Sequence, residues 1–172
     1  MRDTEFLNQI EHISDIFTRM VLKTTAADLT ENAADEMTMS QFQALKHIAQ
    51  HGPCTIGQLA KGLATSQPAA TMLVDRMAKR GLVDRHPGST DRRRSEISLT
   101  ERAVELLAQI EAERADRLAK TMALMSDEQR RQLLESMEQF VAAALHLEQS
   151  VDEACLQCGI EHHPSCIVNR AR

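Results

Sequence analysis

Five residues with metal-ligating side chains, Cys155, Cys158, His162, His163 and Cys166, fall within a short stretch of a 172-residue chain. Cys155-x-x-Cys158 is a spacing at which two thiolates can close on one metal ion. The Gly159 that follows permits the tight turn that aims backbone N–H groups at sulfur. Cys166 with either His162 or His163 would complete a tetrahedral Cys₃His set, and Pro164 fixes a turn before Cys166. Zinc is the favoured cofactor. An iron–sulfur cluster is the alternative, and a thiol redox switch and an inert tail are further readings. Covalent haem is disfavoured because Gly159, not His, follows Cys158.

A second cluster is Asp91-Arg92-Arg93-Arg94, three guanidinium groups in succession just after Pro87-Gly88. Arginine enters narrow, electronegative minor grooves of DNA well. Asp91 would be repelled by phosphate, so its expected role is to orient an arginine. Taken by itself such a run is as readily a solvated surface; the elements around it decide. No catalytic constellation is legible: Ser and His occur without a nucleophile elbow, and there is no phosphate loop. His12, His47, His51, His86 and His146 stand apart in sequence and read as surface or packing residues. Cys54 reads as a small buried hydrophobe.

The elements follow from periodicity and punctuation. Phe6, Ile10, Ile13, Phe17, Met20 and Val21 recur every three or four residues, which predicts an amphipathic helix over 5–27. Residues 28–39 read as an acidic connector or a short helix. Ser40 with Gln43 predicts a capping box for a helix that ends at Gly52-Pro53. Thr55 with Gln58 opens a short helix, and Thr65 or Ser66 caps a third that runs through Met72, Leu73 and Met77 to Gly81. LVDRH and SEISLT alternate as short strands around the PGSTDRRR turn. Thr100 caps a long helix to about Leu124, and Ser126 with Gln129 caps a last one over about 127–149.

Composition agrees with a helical body. Hydrophobic residues make up 42% and aromatic ones 2%, namely Phe6, Phe17, Phe42 and Phe140. The core must therefore come from Leu, Ile, Val, Met and Ala, which suit helix-on-helix packing. No apolar run approaches the ~20 residues of a membrane span, so no membrane partner and a cytoplasmic location are expected. Net charge is −5, but residues 61–102 carry nine basic and five acidic groups, a local +4 against −9 elsewhere. That asymmetry suits a basic working surface on an acidic body and points to nucleic acid.

Two short helices joined by a turn near Ala64-Thr65 present the second helix as a rod that fits the major groove. Thr65, Ser66, Gln67 and Thr71 are short polar groups suited to base edges and phosphates. Ala69 and Ala70 could touch thymine methyls, and Arg76 supplies a cation further along. Directly after such a pair, and between two strands, the Asp91–Arg94 run reads as the tip of a wing rather than a solvated run.

At this point IGQLAKGLATSQPAATMLVDRMAKRGLV and LVDRHPGSTDRRRSEISLTERA resemble the reading helices and wing of the MarR family, over nearly all of residues 1–150. The resemblance implies a mainly α fold with a small β wing, a winged helix-turn-helix flanked by N- and C-terminal dimerisation helices. It implies that Arg93 is the wing-tip arginine in the minor groove with Asp91 as its orienting partner; Arg94 stands where a small residue is common. It also implies release of DNA on binding of a small molecule or on oxidation.

The resulting organisation is an N-terminal dimerisation helix and connector (1–39), a DNA-binding region (40–100), C-terminal dimerisation helices (101–150) and a Cys/His-rich tail (151–172). The expected partners are a second copy of the chain, double-stranded DNA with a pseudo-palindromic operator, and a small-molecule effector. The expected function is a non-enzymatic regulator, acting as a repressor. A metal or thiol sensor with the tail as its input, and a helical interaction adaptor that does not bind DNA, are the competing readings.

Overall fold

The computed structural model describes residues 3–31, 37–88, 95–147 and 166–170. It is mainly helical with one small sheet. The helices are α1 (Asp3–Glu31), α2 (Met39–His51), α3 (Ile56–Gly62), α4 (Gln67–Lys79), α5 (Glu101–Ala123), α6 (Asp127–Leu147) and α7 (Ile167–Arg170). The strands are β1 (Cys54–Thr55), β2 (Val83–Pro87) and β3 (Ser95–Leu99). The mainly α winged-helix class expected from the sequence is the class observed.

Helix starts are set by side chains that satisfy the free N–H groups of the first turn. The Thr55 hydroxyl accepts from Gln58 N at 3.3 Å, and the Gln58 amide oxygen accepts from Thr55 N at 2.8 Å. Ser126 and Gln129 make the same reciprocal pair at 3.2 and 2.9 Å. Ser66 caps α4 and Thr100 caps α5. The α2 start differs from the expected Ser40–Gln43 box. The box is Thr38 with Gln41, two residues earlier. Both pairs have the same local spacing, but in the earlier one the Gln41 amide oxygen also accepts from Arg80 Nη1, which ties the helix start to the end of α4. α1 runs four residues past the expected 27.

β3 lies between the other two strands, in the order β1-β3-β2, with both pairings antiparallel. The β2–β3 register aligns Val83 with Leu99 and Pro87 with Ser95. β1 is a two-residue rung, with Cys54 opposite Ile97, and was not expected. It turns the hairpin into a three-stranded sheet attached to the α2–α3 junction.

One core cluster joins these elements. Leu45, Leu59, Val74, Met77, Leu82, Ile97 and Ile110 are fully enclosed, and Phe42, Cys54, Val83, Ala103 and Leu107 complete it. It draws from α2, α3, α4, the sheet and the first half of α5. α1 lies against α5 and α2. α6 makes its main contact with α7, where Leu145 and Val168 are buried with Val141, Cys166 and Ile167 around them. Among the described residues no helix is long and apolar enough to cross a membrane.

Candidate nucleic-acid interface

α4 is held as a rigid rod by bonds at both ends. At its start Ser66 Oγ accepts from Ala69 N at 3.4 Å, and Pro68 occupies the first turn, where no N–H partner is needed. The turn before it passes through Ala64 at φ +48°, the left-handed region in which a side chain is strained. At its end, Arg80 Nη1 donates to Gln41 Oε1 of α2 at 2.8 Å. Arg102 Nη1 of α5 donates to Arg80 O at 3.0 Å, and Thr100 Oγ1 donates to Gly81 O at 2.8 Å. Gly81, at φ +66°, makes the left-handed turn into β2.

The burial of α4 fixes which face is free. Ala70, Val74 and Met77, spaced i, i+4, i+7, form the core face. Ala70 is fully enclosed, so it cannot meet a thymine methyl as expected; its Cβ is turned against the core instead. Thr65, Ser66, Gln67, Ala69 and Arg76 are exposed and Thr71 half-exposed. Thr71 Oγ1 donates to Gln67 O at 2.9 Å, which leaves that oxygen free only as an acceptor. Opposite the core lie Pro68, Met72 and Lys79, all exposed, with Asp75 beside them. Met72, which the sequence marked only as an apolar residue along the helix, lies on the outward side. Lys79 was not singled out in the sequence.

The hairpin is braced against this helix. Arg85 on β2 pairs with Asp75 on α4 through Nη2 and Oδ1. Beyond Gly88 the wing leaves the described residues. The candidate tip residues Asp91, Arg92, Arg93 and Arg94 therefore lie outside them. The strands on either side, in register to Pro87–Ser95, are those that would present such a tip.

Two buried groups sit behind the interface. Cys54 on β1 is enclosed, and burial pushes its thiol up to about 11, with the Glu96 carboxylate adding in the same direction. The thiol is thus an inert packing group, as expected. His47 is also buried, beneath α3, and its ring lies 4.4 Å from that of His51 one turn on. These two histidines are not isolated from each other. A Cβ at Gly62 would come within 2.0 Å of the His47 ring, so α3 can close over it only with glycine there.

Of the proposed metal ligands, Cys166 is half-buried in the α6–α7 cluster. Cys155, Cys158, His162 and His163 lie outside the described residues. Among the described residues no group of three or more His, Cys, Asp or Glu could hold a metal ion.

Comparison with known proteins bears on the winged segment and on the whole described fold. Residues 37–95 match the model of the MarR family. The chain is 24% identical over 143 residues to the uncharacterised HTH-type transcriptional regulator YfiV of Bacillus subtilis, covering 80% of this chain and 89% of that one. Its fold is similar to that of a MarR family protein from Bacillus stearothermophilus, with TM-score 0.72 and 23% identity over 87% of this chain and 99% of that one. It is also similar to Streptococcus pneumoniae FabT, solved in complex with DNA, with TM-score 0.70 and 17% identity over 83% of this chain and 99% of that one. The YfiV relative is described as a transcriptional regulator, and the two solved structures share the fold. Residues 37–95 thus resemble the MarR family, within a winged-helix fold that the described chain shares with a solved MarR family protein.

Proposed function

We propose that the chain is a dimeric, sequence-specific DNA-binding transcription regulator that represses by occupying a pseudo-palindromic operator. The observation that carries this reading is the outward face of α4. It is free of the core, braced at both ends, and bears Ser66, Ala69, Arg76 and Lys79 in the open. A structural neighbour was solved bound to DNA, which supports the same use of the fold here. The cytoplasm is the corresponding location.

A second copy of the chain is the partner that the terminal helices call for. Phe6, Leu7, Ile13, Phe17 and Met20 on α1 and Leu134, Met137, Phe140 and Leu147 on α6 are exposed apolar residues. Patches of that size on a water-soluble chain mark an interaction surface. A two-fold partner burying them would set two α4 helices one DNA turn apart, ~34 Å.

The test is fluorescence anisotropy with duplexes selected from a random pool. Binding should fall steeply with salt as phosphate counterions are released. Arg93→Ala should weaken it about ten-fold. A chain that binds no duplex even at low salt would leave the adaptor reading in its place.

For the input signal we propose the tail. Cys155, Cys158, Cys166 and one of His162 and His163 would hold zinc, with an iron–sulfur cluster as the alternative; a small-molecule effector acting elsewhere on the dimer is the other route. The docking of Ile167 and Val168 on α6 supports a link between tail and body, because it holds the segment after Cys166 against a terminal helix. Stoichiometric zinc in colourless, anaerobically purified protein is the expected result; absence of any metal removes this reading. Cys155→Ser with Cys158→Ser then separates a sensor, whose DNA binding changes, from a structural site, whose stability alone changes.

A further inference from the structure

We propose that Met72 reads the 5-methyl group of thymine and is a specificity-determining residue of the interface; this rests on the DNA-binding reading above. Among the described residues of the winged region, 37–88 and 95–99, Met72 is the one large hydrophobic side chain left exposed, at 57%. All the other exposed large hydrophobics belong to α1, α5, α6 or the α5–α6 connection. Those can cover one another in a dimer. Met72 cannot join them, because it lies on the side of α4 opposite the Ala70–Val74–Met77 core face.

Its neighbours tell what kind of surface it belongs to. Arg76 and Lys79, one and two turns further along α4, are exposed cations suited to phosphate. Ala69, one turn earlier, adds a small apolar contact. The polar candidates Gln67 and Thr71 lie to one side. Thr71 donates to Gln67 O, and the Gln67 amide stands 3.0 Å from where a Cβ at Gly57 would be, against α3. The centre of the rod is therefore an apolar spot with Arg76 and Lys79 beyond it and the Asp75–Arg85 ion pair at its side. In the major groove the one apolar feature on a base edge is the thymine methyl. Methionine is unbranched and flexible enough to reach it without fixing the helix in one register.

The experiment uses the full chain and a duplex recovered by it from a random pool. Each thymine is replaced in turn, in both half-sites, by deoxyuridine, which removes the methyl and keeps the pairing. At one thymine position per half-site the unaltered chain should lose about four-fold in affinity per methyl. Met72→Ala should bind the thymine and uracil duplexes equally, and Met72→Leu should restore the difference. Arg76→Ala should weaken both duplexes alike. Equal affinity for thymine and uracil at every position, or a Met72→Ala chain that keeps the difference, overturns the proposal while the DNA-binding reading stands. Failure to recover any duplex above non-specific binding overturns both.

Discussion

The His47 imidazole and the missing Cβ of Gly62 are two halves of one contact. Neither half was visible in the sequence, because the two residues meet only when α2 and α3 cross. Gly62→Ala should destabilise the fold by about 2 kcal/mol, the usual cost of forcing extra volume into a packed site. His47→Ala in the same chain should recover much of that loss, since the ring is what the methyl would strike; urea melts of the single and double variants measure it. Cys54 behaves oppositely, since its burial, though not its strand partner, was legible from its place between a Gly-Pro turn and a helix cap. With its thiol at about 11, roughly one molecule in a thousand carries the thiolate at pH 8. Thiol labelling of native protein at that pH should therefore leave Cys54 unmodified until denaturant is added. On α4 the sequence marked Ala70 as an outward residue and gave Met72 no face, whereas the structure buries Ala70 and exposes Met72. Local pattern left both faces open, because apolar residues fall on each; enclosure of Val74 and Met77 in the core cluster with Leu45 and Ile97 settles which is inside.

At the scale of elements, most boundaries were readable because capping is a local event. Thr55 with Gln58, Ser126 with Gln129, and the caps Ser66 and Thr100 depend on bonds spanning three residues. The α2 start failed for the same reason that the others succeeded. Thr38–Gln41 and Ser40–Gln43 satisfy the same rule, and the choice between them is tertiary. Gln41 Oε1 receives both Thr38 N and Arg80 Nη1, the latter from 39 residues away. Thr38→Ala should thus cost about 1 kcal/mol in thermal or urea unfolding, whereas Ser40→Ala should change stability little. An equal loss at both positions would argue against the Thr38 cap. β1 escaped the sequence because a two-residue rung has no period to detect; it exists by virtue of Ile97 and Glu96 opposite it.

At the scale of the molecule, the core cluster runs from Met37 to Ile110 and takes nothing from α6. α6 buries only Leu145 among its described residues, and that against α7. On the dimer reading proposed above, its protection would come from a partner molecule, with a stability set by mass action. Hydrogen exchange should show α6 amides slowing as protein concentration rises through the association constant, while amides around Leu45 and Ile97 stay equally protected throughout. Concentration-independent exchange in α6 would argue against the dimer. The division of the core also orders events in time during synthesis. All residues of the core cluster precede Asp127, so the head can fold as soon as Ile110 has left the ribosome, without any contribution from α6. On the dimer reading, pairing would come afterwards, as an encounter between two finished heads, and the share of chains competent to grip two half-sites would follow the rate at which a cell makes the chain.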